Sequence, residues 1–378
     1  METRKKCLAR KIYEVNMTGT LTFHAPHNYG SSLQSYALQQ KIMQLGYKNE
    51  IINFRPHAQK TMYSLIDCER LAPGTILKNI DNLIHCRKFL KRKAMFEKFI
   101  AQKLKKSDET WLDMKQTEER AEKYSAIICG SDQIWNRGET TRDRSWAYYL
   151  DFPYNGRRIS YAPSMGNTSE MPEEDKQLEL IGKFDFVSVR EKPACDYLKS
   201  RGINCTQVLD PTLLLDKEEW MKIEEKILVN EPYILFYSIN CNRQAALQAV
   251  ELGKMLGLKV LCPVLHPRLW GTGIQFIEAG PGEFLSLVHH AKFVCTNSFH
   301  GTVFSLLYEK PFVSTLNAGH KDDRRTSLLN ALNLEKHIIE SNEVIDPEKF
   351  NCELDKTKLK QLRAASEEFL SKALEGIS

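Results

Sequence analysis

The stretch best equipped for chemistry is Asn297-Ser298-Phe299-His300-Gly301, set between a β-rich run, Lys292–Thr296, and a segment, Thr302–Tyr308, that reads as the first turns of a helix. Where a strand turns into a helix, backbone N–H groups are left unpaired and the helix dipole points at the gap, so anions settle there. An imidazole at such a corner can hold an anionic substrate or pass it a proton, because its unperturbed pKa lies near ~6.5. The competing reading is a capped corner with a packed histidine. Three more polar clusters precede it. The turn His24–Gly30 places Asn28 and Gly30 beside a ligand, or else uses them as a plain cap and a tight-turn glycine. Gly130-Ser131-Asp132-Gln133-Ile134-Trp135-Asn136 follows the apolar run Ala126–Cys129; small residues at a strand's end let a ligand approach the backbone, and Asp132 is then a carboxylate in a cleft. Arg190 follows Phe184–Val189, where its cation meets either a bound anion or Glu191 at the surface.

These clusters need elements to hold them. Thr18–Phe23 reads as a strand, Ser31–Leu45 as a helix with Leu33, Ala37, Ile42 and Leu45 on its buried stripe, and Glu50–Phe54 as the next strand. This is a Rossmann-like half unit, and ligands bind beyond the carboxyl ends of such strands. The turn lacks GxGxxG, so a dinucleotide is not indicated. Strands at Ala126–Cys129, Ile159–Ala162 and Phe184–Val189 end in polar loops on one edge of a parallel sheet. Residues 216–231 are charged and linker-like. The pattern then restarts, with strands at Tyr233–Ser238, Lys259–Val264, Phe293–Thr296 and Phe312–Thr315 alternating with helices at 244–256, 282–291, 302–308 and 325–332. The expected fold class is α/β: two Rossmann-like domains with a cleft between them. The expected division is a tail at 1–17, an N-terminal domain at 18–222, a C-terminal domain at 223–345, and a helical segment at 346–378 that packs back on the first domain.

Composition sets the outer bounds. A chain of 378 residues is too long for one ordinary core, and its hydrophobic content of 42% with 27% charged residues is that of a globular protein. No apolar stretch approaches the ~20 residues of a membrane helix. The first seventeen residues start basic but have no apolar core, so they read as a tail and not a secretory signal. Ten scattered cysteines without a CxxC pair read as reduced, buried thiols of a cytoplasmic protein, with no metal site. The mild net charge of +5 does not point to nucleic acid. Nothing in the sequence indicates an oligomeric state. Residues 78–106 are helical and strongly basic around Phe89, Leu90, Phe96 and Phe99. Such a stretch either lies on an anionic membrane surface, near a lipid-linked substrate, or is a solvated helix that packs its Phe residues inward.

In combination, His27-Asn28-Tyr29-Gly30 with Leu33–Gln39, Gly130–Asn136, Ser188-Val189-Arg190-Glu191, Asp210-Pro211-Thr212, and Ser298-Phe299-His300-Gly301 with Phe304-Ser305 closely resemble the polysaccharide pyruvyl transferase family, in order from about residue 18 to residue 335. The resemblance implies a two-domain fold similar to GT-B glycosyltransferases. It also implies transfer of the pyruvyl unit of phosphoenolpyruvate to two sugar hydroxyls of a cell-surface polysaccharide or its precursor, as a cyclic ketal with loss of phosphate. Phosphoenolpyruvate is then a donor substrate, and no obligatory cofactor or metal is implied. The acceptor is a sugar, lipid-linked if the enzyme works at the inner face of the membrane. In this reading His300 is the general acid and Asp132 accepts or orients the attacking hydroxyl. Asn28, Gly30, Ser131, Asn136, Asn297 and Ser298 lie near substrate, and Arg190, Arg325 and the helix start at Gly301 hold the donor's anions. Many members carry Arg-Leu-His where this chain has Ser298-Phe299-His300, so another cation must take that arginine's place. The alternatives are a GT-B nucleotide-sugar glycosyltransferase, which would release a nucleotide, and a non-catalytic carbohydrate-binding relative.

Overall fold

Runs such as Ala126–Cys129 and Tyr233–Tyr237 are buried at every residue, as strands of a parallel sheet covered on both faces must be. The computed structural model describes residues 17–55, 65–66, 73–110, 112–136, 146–166, 176–226, 229–316 and 322–377, so the expected tail lies almost wholly outside the described residues. The N-terminal lobe holds β1 (Met17–Leu21), β2 (Lys48–Ile51), β3 (Ala126–Cys129) and β4 (Arg157–Ser160), all parallel in the order β2-β1-β3-β4. A short pair, β5 (Ser188–Val189) and β6 (Thr206–Gln207), continues beside it through a bridge from Ile159 to Phe186. The C-terminal lobe holds β7 (Tyr233–Tyr237), β8 (Lys259–Cys262), β9 (Gln275–Phe276), β10 (Phe293–Thr296), β11 (Phe312–Leu316) and β12 (Ile338–Glu340). Its parallel order is β12-β11-β10-β7-β8-β9.

Both sheets are doubly wound, and each reverses its winding at one place: between β1 and β3 in the first, between β7 and β10 in the second. Ligands bind outside the carboxyl ends of strands at such switch points. The loops leaving β1, β3 and β10 are the polar clusters that begin at His24, Ser131 and Asn297.

Helices join the lobes. In the N-terminal lobe are α1 (Tyr29–Gln44), α2 (Pro73–Ile84), α3 (Cys86–Lys103) and α4 (Lys217–Met221). In the C-terminal lobe are α5 (Pro281–His290), α6 (Phe299–Leu307) and α7 (Asp323–Ala331), before the terminal α8 (Lys356–Leu374). One hydrophobic core crosses the boundary: Tyr29 and Leu33 of α1, Phe96 of α3 and Trp220 of α4 pack with Phe284 of α5 and Val303 and Phe304 of α6. The Tyr29 ring stacks on Phe284 at 4.5 Å, and its hydroxyl donates to the carbonyls of Pro263 and Ala279, each at 3.0 Å. α8 packs Leu370, Ala373 and Leu374 against Leu38, Ile128 and Ile159 of the N-terminal lobe.

Several boundaries differ from those read in the sequence. The second strand is Lys48–Ile51, not Glu50–Phe54: its pairing with β1 ends at Thr20–Ile51 with a last bond from the Ile52 N–H to the Thr20 carbonyl, and Ile52 and Phe54 then pack into the core. Of Phe184–Val189 only Ser188 and Val189 form a strand, since the Asp185 carboxylate accepts the Arg158 N–H at 2.7 Å where a backbone partner would stand. The helix expected from Thr302 begins at Phe299, so His300 belongs to its first turn. The basic stretch is two helices broken at His85, with Phe96 and Phe99 turned into the core. The linker-like segment carries α4, whose Trp220 is fully buried against Phe304 at 5.0 Å.

At the end of β1, His24 is wholly buried, its Nε2 at 3.0 Å from Asn53 Oδ1. Burial pushes its pKa down to about 4, against the hydrogen bonds from Asn53 and Thr22. In the unfolded chain the same imidazole protonates near ~6.5. As pH falls through that value the unfolded state gains a proton that the folded state refuses, so stability declines from about pH 6.5 to about 4 and then levels. The loss from this group is on the order of 3 kcal/mol. Urea denaturation at a series of pH values is expected to show this decline, and His24→Gln to flatten it; parallel slopes in the two proteins would place the acid sensitivity elsewhere.

Candidate active site

Asp210 is the residue on which the site converges. It follows β6 and caps a single 3-10 turn, Pro211–Leu213, its Oδ1 accepting from the Thr212 N–H at 3.0 Å and the Thr212 hydroxyl at 2.6 Å. Its Oδ2 accepts from Arg190 at 2.8 Å and from the Ser131 hydroxyl at 3.0 Å, and His300 Nε2 stands 3.6 Å away, within ion-pair range but beyond a hydrogen bond. Burial would raise the Asp210 carboxyl; the nearby His300 and Arg190 and the Thr212 hydrogen bond outweigh it and hold the group well below the usual carboxylate range. Asp210 is therefore an ionised carboxylate in a dry setting.

Arg190 is buried as well, its Nε donating to Glu191 at 2.9 Å and its guanidinium lying 4.0 Å above the Phe299 ring. The pairing with Glu191 that the sequence suggested for the surface is thus internal, and Asp210 shares it. Burial drives the Glu191 carboxyl upward and Arg190 opposes that shift. Breaking such a buried pair costs more than forming it gains, because the partner is left charged and unsolvated.

His300 brings the C-terminal lobe to this cluster. A Cβ placed on Gly30 would fall 2.0 Å from its Nδ1, so the ring occupies the space that any side chain at position 30 would need. Gly30 lies in the first turn of α1 and His300 in the first turn of α6, so two helix N-termini meet here. Their opening N–H groups have no intrahelical acceptor, and both dipoles favour negative charge between them. His300 Nε2 is buried without a hydrogen-bond partner. Opposite it Asp132 stands at the end of β3, a non-glycine residue at φ 70°. Its Oδ2 accepts the Ser31 hydroxyl at 2.6 Å and its Oδ1 the Gln133 N–H at 2.9 Å. Left-handed backbone at an aspartate is costly enough to gather at functional positions.

Gly30, Ser131, Asp132, Arg190 and His300 are thus brought together, and the other residues read from the sequence have different duties. Asn28 caps α1, accepting from the Ser31 N–H at 3.3 Å. Ser298 caps α6 by accepting the Gly301 N–H at 3.3 Å, which removes Gly301 as an anion donor. Gly301 is small because a Cβ there would meet Thr296 Oγ1 at 2.3 Å. Asn297 braces the sheet ends, accepting from the Ile239 N–H at 3.0 Å and donating to Asn240. Asn136 donates to Gln133 at 2.8 Å and packs over Gly166. Arg325 is engaged within its own lobe: its guanidinium donates to Asp322 at 2.9 Å, Ser314 at 3.0 Å and the Thr315 carbonyl at 2.7 Å, tying α7 to β11.

Asp210, Ser31 and Arg324 were not singled out in the sequence. Asp210-Pro211-Thr212 carried a local signal, an aspartate capping a turn, but its partners are 79 and 20 residues away. Arg324 lines a cavity of about 100 Å³ with Arg190, Asp210 and Phe299, between α7 and α8. Among the described residues one group could hold a metal, Glu224 with His289 and His290. It lies at the far end of α6, where Tyr308 donates to Glu224 at 2.7 Å, away from His300.

The architecture is that of two Rossmann-like domains in a GT-B-like arrangement, and solved structures agree. UDP-GlcNAc 2-epimerase of Methanocaldococcus jannaschii, in complex with UDP-GlcNAc and UDP, is 13% identical with a TM-score of 0.50, covering 95% of this chain and 98% of its own. S. aureus MnaA, in its UDP co-structure, is 13% identical with a TM-score of 0.49, covering 94% and 87%. The glycosyltransferase SnogD from Streptomyces nogalater is 10% identical with a TM-score of 0.40, covering 95% and 96%. Likeness at such identity shows the fold alone, and the two with a TM-score below 0.5 add nothing to it. A search of the curated proteins found no match. The model of the family "Polysaccharide pyruvyl transferase" matches residues 28–318, more than half of the chain. The protein belongs to that family and is a transferase.

Removing the hub tests the cluster. Asp210→Ala leaves the buried Arg190 with Glu191 alone, so a loss of about 3–5 kcal/mol is expected in chemical denaturation. A loss below about 1 kcal/mol would mean that water or relaxation replaces the carboxylate, and that it does not hold the lobes together.

Proposed function

We propose that the protein transfers the pyruvyl group of phosphoenolpyruvate to two hydroxyls of a sugar, forming a cyclic ketal and releasing phosphate. The observation that carries this reading is the His300 imidazole, buried with Nε2 free of any hydrogen bond, facing an ionised carboxylate between two helix N-termini. Family membership supports the transferase class and the sugar acceptor.

The chemistry requires a proton on the methylene carbon, a developing cation at the adjacent carbon, and two oxygen nucleophiles in turn. His300 gives its proton to that carbon, and a first sugar hydroxyl adds to the oxocarbenium-like centre while Asp132 takes its proton. Phosphate leaves with the C–O bonding electrons and the proton held by Asp132. The second hydroxyl closes the ring and returns a proton to His300, so the two hydroxyl protons end on the methyl carbon and on phosphate. Asp210 touches no reacting atom; it positions the imidazole. The helix starts at Tyr29 and Phe299 offer N–H groups to the donor's anions, and Arg324, which lines the cavity beside Arg190 and pairs with Asp322, stands in for the arginine absent at position 298 by turning from that carboxylate to the donor. Arg190 contributes field more than contact, since Glu191 and Asp210 take its donors.

The test is phosphate release from phosphoenolpyruvate with a galactoside-type acceptor. His300→Asn is expected to lower kcat by ~10²–10⁴ while the KM for phosphoenolpyruvate and the melting temperature stay near the parent's. Arg324→Ala is expected to raise that KM instead. Parental turnover in His300→Asn would place the acid elsewhere, and release of a nucleotide from a nucleotide sugar would replace the donor.

A further inference from the structure

α2 shows an apolar face on which none of the described residues packs closely. Ile76, Ile80, Leu83 and Ile84 fall on one side of the helix and are 48%, 49%, 49% and 67% exposed. Leu90 in α3 adds a residue 50% exposed, and Trp270, 51% exposed, stands with its ring 5.6 Å from His85 at the break between the helices. Single exposed aliphatics are ordinary on a protein surface, but six large ones in one place are not.

The charge beside this face is mostly positive: α2 itself carries one of each sign, Lys78 and Asp81, and the excess comes from α3. Residues 85–106 hold nine Lys or Arg against one acid, Glu97, and that acid is engaged by Arg55 and His27 on the inner side. Arg87 and Lys88 are exposed beside the apolar residues, the Lys88 amine lying 5.3 Å over Phe276, while Lys91 pairs with Glu278. Arg92 is not part of the face: it lies over Tyr29 and Phe96 and donates to the His27 carbonyl at 3.0 Å. A helix with aliphatic residues on its open side, a tryptophan at its edge and cations at its flank has the composition of one lying in the headgroup region of an anionic bilayer. A protein partner matching it would need an acidic rim around an apolar groove. The bilayer supplies both chemistries over an unbounded area.

We propose that α2 and the first turns of α3 are a membrane-docking surface that seats this protein on anionic lipid. No described helix is long and apolar enough to cross a membrane, so the attachment is peripheral. α3 continues from the docking face to Arg92, about two turns beyond Ile84, and Arg92 holds the His27 carbonyl just before the cap of α1. The surface is therefore coupled through one rigid helix to the loop that begins the site. That the sugar acceptor is borne on a lipid follows only with the proposed reaction; the docking itself does not depend on it.

The experiment is co-sedimentation of the full chain with phosphatidylcholine vesicles and with vesicles about one-third phosphatidylglycerol. Partition onto the anionic vesicles, weakening as salt rises, is expected, with little on the zwitterionic ones. The triple variant Ile80→Ser, Leu83→Ser, Ile84→Ser and the double variant Arg87→Glu, Lys88→Glu are each expected to weaken it at least about tenfold. Among the described residues none of the five substituted side chains belongs to a hydrophobic core, and Lys88 alone lies over a ring, that of Phe276, so melting temperatures are expected to hold. Absence of vesicle binding in the parent, or binding that both variants retain, overturns the proposal. So does equal binding to both vesicle types, or a concentration-dependent dimer that the triple variant abolishes, which would give the face to a second copy. Phosphate release with a water-soluble acceptor separates the two readings: its absence sinks the reaction and leaves the docking result standing.

Discussion

A buried carboxylate must be surrounded or it will not stay charged, and in this protein Asp210 is surrounded by parts of the chain that are far apart in sequence. Ser131 comes from the end of β3, Arg190 from the end of β5, Thr212 from its own turn, and His300 from the other lobe. Arg190 without it lacks a second anion, whereas Ser131 still has the Ala162 carbonyl at 2.7 Å. The interaction adds little net stability, since desolvation offsets most of the attraction. The N-terminal lobe completes the charge pair by itself, and His300 alone joins it from the other lobe, so the carboxylate fixes where the start of α6 sits.

Around that polar centre lies a dry collar. Tyr29, Phe96 and Trp220 meet Phe284 and Phe304 across the boundary as core residues do, and the Tyr29 hydroxyl reaches carbonyls on the far side. Interfaces between domains are commonly polar and loose. This one is aromatic and close-packed on the side of α1, so the first turns of α1 and α6 are held against each other at Gly30 and His300. Preorganised groups of this kind stabilise charge without rearranging when it develops.

Much of the frame was legible in the chain. The buried strands announced themselves as unbroken apolar runs, and the polar clusters at their ends located the switch-point loops before any strand order was known. His300 and Asp132 were legible for the same reason: few places put an imidazole or a carboxylate right after a buried strand. What the sequence hid was mostly long-range. Nothing near Gly30 says that a histidine 270 residues later occupies its missing side chain. Arg324 and Arg325 both pair with Asp322, and only the fold shows that Arg325 also ties down Ser314 and Thr315 while Arg324 lines the cavity. The basic stretch left two readings open: Phe96 and Phe99 fill the shared core, as in the inward reading, and the open apolar side belongs to the isoleucines of the preceding helix.

The return of α8 to the N-terminal lobe has a consequence for how the molecule can be taken apart. The chain passes from the first lobe to the second after α4 and comes back before α8, so β7 to β12 form a guest carried inside a host fold. The host is completed only when Leu370, Ala373 and Leu374 reach Leu38 and Ile128 from the far end of the chain. No single cut frees either lobe intact, and exchange of the C-terminal lobe between relatives needs two junctions chosen together. Two covalent crossings also act as a pair of hinge pins: the lobes can flex about the line that joins them but have little freedom to twist.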